Sequence, residues 1–119
     1  MAPQTLCDLF REAAEHDGCC LVAWSSVEQR VVEELSFREF LERAERVALE
    51  LEARGVRAGT PVAVLSRATV AYYCCAAGVL LAGGAVVNLN WRQPGATLAR
   101  AIEATRPALL VASAALAEL

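Results

Sequence analysis

The sequence predicts an α/β fold in which a mostly parallel sheet has helices on both faces and is preceded by a helix and a short β-hairpin. Three short apolar runs, at 62–65, 85–87 and 108–112, are separated by segments of helical length. Near-continuous apolar strands are typical of parallel sheets buried on both faces, and crossovers between such strands are right-handed. The 119 residues contain no linker-like break, so we expect one domain or part of one.

A helix and a hairpin are predicted before this sheet. Thr5 and Asp8 resemble a capping box, and apolar residues then recur at helical spacing as far as Gly18. Two β-rich stretches follow, at 19–24 and 30–35, and the polar residues between them form a turn without an Asn-Gly signal.

The second helix has the clearest sequence signals. Ser36-x-x-Glu39 is a capping box, and an apolar face begins at Phe37 and continues until Gly55. The opposite face is charged, with Glu39–Arg43 and Glu42–Arg46 at the favourable four-residue offset, which predicts a solvated surface.

The elements that follow are strand 62–65, helix 69–81 ending at Gly83-Gly84, strand 85–87, loop 88–95, helix 96–105 closed by Pro107, and strand 108–112.

The composition favours a folded protein and argues against nucleic-acid binding. Apolar residues make up 56% of the chain and charged residues 21%, whereas disordered segments combine low hydrophobicity with high net charge. The net charge is −3, and the basic residues are scattered among 14 Asp and Glu without forming a basic run. We therefore expect no nucleic-acid partner.

The five cysteines favour neither a disulfide framework nor a metal site. Their number is odd, and they include two adjacent pairs, Cys19–Cys20 and Cys74–Cys75, with no Cys-x-x-Cys spacing. Adjacent cysteines form a strained ring when bridged. We expect small buried side chains in a reducing compartment.

The chain shows no secretory signal, which favours a cytoplasmic protein. Its first four residues are not a cationic stretch leading into an apolar segment. The uncharged run 68–91 has the length of a membrane span, so a small membrane protein is an alternative. Gly78 and the pair Gly83-Gly84 interrupt this run, which favours a buried helix followed by a strand.

Three segments carry a resemblance to a known family. Residues 35–40, Leu-Ser-Phe-Arg-Glu-Phe, resemble a Leu-Thr-Tyr-x-Glu-Leu motif that opens a long helix. Residues 51–64 resemble a segment in which Leu is followed by Gly-Val and then by x-x-Gly-Asp-x-Val-Ala. Thr60 stands where Asp is usual in that segment. Residues 81–90 are similar to a Lys-x-Gly-Ala block followed by two strand residues and Pro-Leu-Asn or Asp. In this order and spacing, the motifs resemble the AMP-forming acyl- and aryl-CoA synthetases, luciferases and peptide-synthetase adenylation domains.

The resemblance implies the N-terminal part of an AMP-dependent ligase domain, a partial acyl-CoA synthetase-like fold spanning 1–119. In that family a carboxylic acid attacks the α-phosphate of ATP, and a thiol, commonly that of CoA, then displaces AMP with Mg²⁺ required. A Ser/Thr-Gly-rich loop with a lysine holds the phosphates. Because no glycine here lies in such a loop, we expect the chain to end before it, to carry no catalytic residue and to bind no cofactor alone.

Arg92 is the candidate site residue. Asn90-Trp91-Arg92 looks more like the fatty-acyl and aryl-CoA ligase branch, in which the matching Arg can meet a CoA phosphate. Arg92 follows a strand end, at the edge where α/β sheets place ligands. The alternative is a surface salt bridge. Ala82, Gly84 and Asn88 depart from the family pattern.

The remaining candidate residues have simpler interpretations. His16 is predicted to be an exposed residue at a helix end, Cys74-Cys75 to be unreactive in an apolar helix, and Tyr72, Tyr73 and Trp91 to be packing aromatics.

Two functional classes therefore remain. The first is a fragment of a carboxylate–CoA ligase that is inactive alone, and the second is a free-standing, non-catalytic α/β protein that binds a partner through an open sheet edge. For the fragment we expect self-association, because an open edge exposes apolar surface.

Overall fold

The computed structural model describes residues 5–16 and 18–113. Its elements are, in chain order, α1 (Leu6–Ala13), β1 (Cys19–Ser25), β2 (Arg30–Ser36), α2 (Phe37–Ala53), β3 (Pro61–Leu65), α3 (Val70–Leu81), β4 (Ala85–Leu89), α4 (Gly95–Thr105) and β5 (Leu109–Ala112). The predicted fold class is confirmed: a parallel three-stranded sheet with helices follows a helix and an antiparallel hairpin.

The parallel sheet has β3 at its centre. The strand order is β4-β3-β5, and Val62 pairs with Val86 on one side and with Leu109 on the other. Residues 62–65 are all buried, which explains why β3 reads as an unbroken apolar run.

Alternate residues of β3 pack against different helices. Val62 lies in a buried cluster with Val79 of α3 and Leu51 of α2. Ala63 and Leu65 lie in a second cluster with Leu98 of α4. Because successive side chains of a strand point to opposite faces, α3 and α4 cover opposite faces of the sheet, as predicted. The connection from β3 to β4 through α3 and the connection from β4 to β5 through α4 run in opposite directions along the sheet. Because the two helices lie on opposite faces, both crossovers have the same hand.

The hairpin is more irregular than its sequence indicated. β1 and β2 are antiparallel, with register shifts between Cys19 and Leu21 and between Ala23 and Trp24. Its turn places Gln29 in the left-handed region with φ of 55°, and the Ser25 hydroxyl accepts a hydrogen bond from the Glu28 N–H at 3.0 Å. Glutamine rarely adopts this backbone conformation, which explains why no turn motif was visible.

The capping box of α2 forms as predicted. The Ser36 hydroxyl accepts from the Glu39 N–H, and the Glu39 carboxylate accepts from the Ser36 N–H, both at 3.1 Å. These bonds to Ser36, with a smaller contribution from the nearby Arg43 charge, lower the pKa of Glu39. Arg43 also forms an ion pair with Glu33 of β2, at 3.3 Å, which links the helix to the hairpin.

The end of β4 was predicted too early. The loop was expected to begin at Asn88, but β4 continues to Leu89, because Asn88 pairs with Val64 and Leu89 with Leu65. The Tyr72 hydroxyl of α3 donates a hydrogen bond to Asn88 Oδ1 at 2.5 Å. This cross-element bond depends on tertiary structure, so the polar residue was misread as the start of a loop.

The apolar run 68–91 is divided between two elements. Helix α3 has 12 residues and ends at Leu81; Gly83, whose φ of 86° is left-handed, follows it before the chain enters β4. In the described part of the chain, no helix has the length and apolar character needed to cross a membrane.

Helices α2 and α3 approach each other closely at Gly78. A Cβ atom at this position would lie 2.5 Å from Val47 Cγ1 and 2.9 Å from the carbonyl oxygen of Ala44. Contacts this short are repulsive, so the helix–helix distance requires glycine at position 78.

The cysteines differ in their environments. All five are free, Cys74 is buried, Cys75 is half-buried, and Cys19 is exposed, so the prediction of general burial was wrong for Cys19. Desolvation by burial raises the pKa of both Cys74 and Cys75. A thiol with a raised pKa is mostly neutral at pH 7, and this agrees with the predicted low reactivity of the pair.

The Gly78 contact predicts a stability effect. Gly78→Ala is expected to lower the free energy of unfolding by about 1–3 kcal/mol, because overpacking outweighs the gain in helix propensity. The control is Gly95→Ala in the first turn of α4, where an added Cβ meets nothing within 4 Å. Urea denaturation followed by circular dichroism measures both, and equal stability of the two variants would contradict the close-packing argument.

The cysteine environments predict a labelling order. At pH 7.5, iodoacetamide is expected to modify Cys74 and Cys75 about tenfold or more slowly in the folded chain than in urea, because both the raised pKa and burial suppress reaction. The exposed Cys19 serves as the internal control for access, since unfolding adds little access there and the pKa of Cys19 is also raised, by desolvation and by Glu34. Peptide mass spectrometry gives the rates, which should rise with pH as the thiolates form. Rapid native labelling of Cys74 would contradict its placement in the core.

Candidate functional site

The carboxyl ends of the three parallel strands bring polar residues to one edge of the sheet. Ser66 and Arg67 follow β3, Asn90 to Arg92 follow β4, and Ser113 follows β5. The Ser113 N–H donates to the carbonyl of Leu65 at 3.2 Å, so the ends of β3 and β5 remain joined. Ligands of open α/β sheets bind at this edge.

A tight turn after β4 fixes the position of Trp91. Asn90 Oδ1 accepts from the Arg92 N–H, and the Asn90 carbonyl accepts from the Gln93 N–H, both at 3.0 Å. The half-buried Trp91 ring packs against the cluster formed by Leu65, Leu89 and Leu98. Its position is therefore set by the core as well as by the turn.

Two arginines lie over the Trp91 ring. The guanidinium carbon of Arg67 is 4.4 Å from the ring centre, and that of Arg92 is 5.2 Å from it. Both distances are within the range of cation–π attraction, which contributes about 0.5–1 kcal/mol at an exposed site. Trp91 therefore has two cationic neighbours at the carboxyl edge of the sheet.

The arrangement is suited to binding an anion. Both arginines are exposed, and within 5–16 and 18–113 neither forms an ion pair with a carboxylate. The salt-bridge interpretation of Arg92 therefore has no partner among these residues. A guanidinium group presents several N–H donors in a plane that matches carboxylate or phosphate oxygens.

Sequence reasoning identified Arg92 but missed Arg67. Arg67 follows the end of β3 as Arg92 follows the end of β4, and paired parallel strands place such residues at the same edge. That symmetry was the available signal. Trp91 was expected to be only a packing residue, whereas the structure also gives it two cationic neighbours.

The other candidate residues lie outside this cluster. His16 is exposed just after α1, as predicted. Tyr73 packs edge-to-face on Tyr72, with ring centres 5.1 Å apart. Among the described residues, no group of three or more His, Cys, Asp or Glu is placed to hold a metal ion.

A separate apolar cavity of about 580 Å³ lies between α2, α3 and β5. Val64, Val111, Leu109 and Cys75 contribute to its walls, and it reaches the carboxyl edge of the sheet at Ser66. Neither Arg67 nor Arg92 lines it, so the cavity and the cation cluster are distinct features.

Comparisons with solved structures identify similar folds. A fatty acid AMP ligase from Legionella pneumophila matches with a TM-score of 0.83 and 21% identity over 95% of this chain and 20% of that one. A putative long-chain-fatty-acid CoA ligase from Rhodopseudomonas palustris gives 0.79 and 26% over 96% and 28%. Klebsiella oxytoca NpsA in complex with 3-hydroxyanthranilyl-AMSN gives 0.81 and 18% over 93% and 22%.

The chain thus spans between a fifth and just over a quarter of the length of these relatives. No curated protein matches the sequence. The model of the family described as AMP-binding enzyme matches residues 10–119, which is nearly the whole chain. The protein therefore belongs to the AMP-binding enzyme family.

Proposed function

We propose that residues 1–119 are the N-terminal part of a cytoplasmic, ATP-dependent carboxylate–CoA ligase. Its carboxylic acid substrate attacks the α-phosphate of ATP, giving an acyl-adenylate and pyrophosphate. The CoA thiol then attacks the acyl carbon, giving a thioester and AMP. Family membership supports the adenylation half, and Arg92 at the carboxyl edge of the sheet is the observation that supports CoA as the acceptor.

Of the groups that this chemistry needs, the residues of this chain fit a CoA phosphate but not ATP or Mg²⁺. ATP and Mg²⁺ need a phosphate-binding loop and oxygen ligands, and the 119 residues contain neither a lysine nor a Ser/Thr-Gly-rich loop. No step of adenylate formation is therefore assigned to this chain. A CoA phosphate requires cationic donors, which Arg92 supplies on a turn fixed by Asn90.

The choice of acceptor is the specific part of the proposal. The relatives described above include an AMP ligase as well as a CoA ligase, so membership in the family does not decide between acceptors. Arg92 makes the choice testable, because an arginine that binds CoA affects the second half-reaction and leaves the first unchanged.

A second candidate function is binding of a partner through the sheet edge. In the described part of the chain, the outer edges of β4 and β5 are unpaired, and Leu110 of β5 is half exposed. An unpaired edge presents free backbone N–H and C=O groups that accept another strand.

The open edges predict self-association of the 119-residue chain. We expect size-exclusion chromatography to show species larger than a monomer, with stronger binding of a hydrophobic dye than for an ordinary domain of this length. Leu110→Lys places a charge on the exposed β5 position and should shift the chain towards monomer. A monodisperse wild-type monomer with protected strand amides would contradict this expectation.

The ligase proposal predicts a selective effect of Arg92→Ala. In a complete enzyme carrying this segment, the Michaelis constant for CoA should rise roughly tenfold to a hundredfold, because a charge-assisted phosphate contact contributes about 1.5–3 kcal/mol. Carboxylate-dependent ATP–pyrophosphate exchange should be unchanged. Arg57→Ala is the control, because Arg57 is an exposed arginine that precedes β3 instead of following it. An unaltered CoA dependence in Arg92→Ala would refute the assignment of CoA through this residue.

A further inference from the structure

The charge of this chain is divided unevenly along its length. Residues 1–54 contain six arginines and twelve acidic residues, whereas 55–113 contain five arginines and a single acidic residue, Glu103. The net charge of −3 therefore conceals a basic part that includes the whole parallel sheet. Such local charge attracts anions and is not visible in the total.

Within this basic part, Arg67 and Arg92 both contact the ring of Trp91. Their guanidinium carbons lie 4.4 and 5.2 Å from the centre of Trp91, and their charges repel each other. Two like charges that share one neighbour are unfavourable unless another group compensates them. The cation–π contacts provide part of this compensation, and an anion bound by both arginines would provide more.

The support beneath the two arginines is rigid. Leu65 and Leu89 pair in register at the ends of β3 and β4 and belong to the buried cluster against which Trp91 packs. The Ser66 hydroxyl donates to the carbonyl of Arg67 at 2.9 Å, and Asn90 accepts from the backbone of Arg92. The backbone of each arginine is therefore fixed, and little conformational freedom of the main chain is lost on binding a ligand.

We propose that Arg67 is a second anion-binding residue, which joins Arg92 in holding one phosphate monoester of a nucleotide-type ligand, with Trp91 positioning both guanidinium groups. A phosphate monoester carries nearly two negative charges at pH 7 and has three terminal oxygens, so it satisfies two arginines at once. A phosphodiester or a carboxylate carries one negative charge and leaves the second arginine uncompensated. The cluster therefore selects for a dianion.

This inference rests on the proposed role of Arg92 and extends it to a ligand class. CoA carries a 3′-phosphate monoester in addition to its pyrophosphate, whereas dephospho-CoA lacks that monoester. The site is therefore expected to distinguish these two molecules.

Binding to a complete enzyme that carries this segment tests the proposal. Binding of adenosine 3′,5′-bisphosphate, measured by isothermal titration calorimetry, should be at least about tenfold weaker in Arg67→Ala and in Arg92→Ala than in the wild type. The exposed control Arg57→Ala should weaken this binding by less than about twofold. Arg67→Lys should be intermediate, because it retains the charge but loses the planar pair of donors. Wild-type affinity should fall between pH 7.5 and pH 5, as the monoester gains a proton.

Titrations with different ligands show which phosphate group is bound. CoA should bind at least about tenfold more tightly than dephospho-CoA, and this preference should disappear in Arg67→Ala. Inorganic phosphate should compete with adenosine 3′,5′-bisphosphate, because both present a dianionic phosphate group. Equal binding of CoA and dephospho-CoA by the wild type would overturn the assignment to a monoester.

The positioning role of Trp91 has its own control. Trp91→Phe retains an aromatic face and should keep most of the binding, whereas Trp91→Leu should lose it while circular dichroism remains native. Should Trp91→Leu fail to fold, the arginine variants still decide the question.

Loss of binding in Arg92→Ala alone would overturn the inference about Arg67 and leave the proposed function intact. An effect of Arg57→Ala equal to that of Arg67→Ala would refute a specific site, and no effect of any variant would refute both proposals.

Discussion

The burial of β3 on both faces and along both edges is the constraint on which the rest of the structure depends. Its residues pair with β4 and β5, and its side chains alternate between a cluster with α2 and α3 and a cluster with α4. Any shift of register by one residue would exchange these two faces. The same constraint fixes the carboxyl ends of the strands, and therefore places both Arg67 and Arg92 near the ring of Trp91.

The sequence was sufficient to predict the elements whose signals are local. Alternation, capping residues and terminal glycines gave the order of helices and strands, and the α2 capping box formed as expected. The end of β4 was misjudged because Asn88 is a polar residue whose partner, Tyr72, lies on another helix. The hairpin turn was equally hidden, since Gln29 adopts a left-handed conformation that its residue type does not favour. Both failures concern contacts or backbone states that no local pattern encodes.

The candidate site was predicted in part for the same reason. Arg92 could be identified because it belongs to a contiguous motif next to a strand end. Arg67 lies 25 residues earlier in the chain, and only the pairing of Leu65 with Leu89 brings the two together. The total charge also obscured the site, because the acidic residues concentrated in the first 54 positions offset the arginines around the sheet. Charge counted along the chain is more informative here than net charge.

The departures from the family pattern have local structural explanations. Ala82 packs against the cluster of Leu51, Val62 and Val79, where the frequent lysine would bring a charge next to apolar side chains. A Cβ atom at Gly84 would lie 3.0 Å both from the carbonyl oxygen of Thr60 and from Val79 Cγ1, so a small residue is needed there. Asn88, where proline is typical, accepts the hydrogen bond from Tyr72. Because each change is matched by a neighbour in the fold and none lies in the Asn90-Trp91-Arg92 turn, these departures adjust the packing of α3 on the sheet and leave the candidate site unchanged.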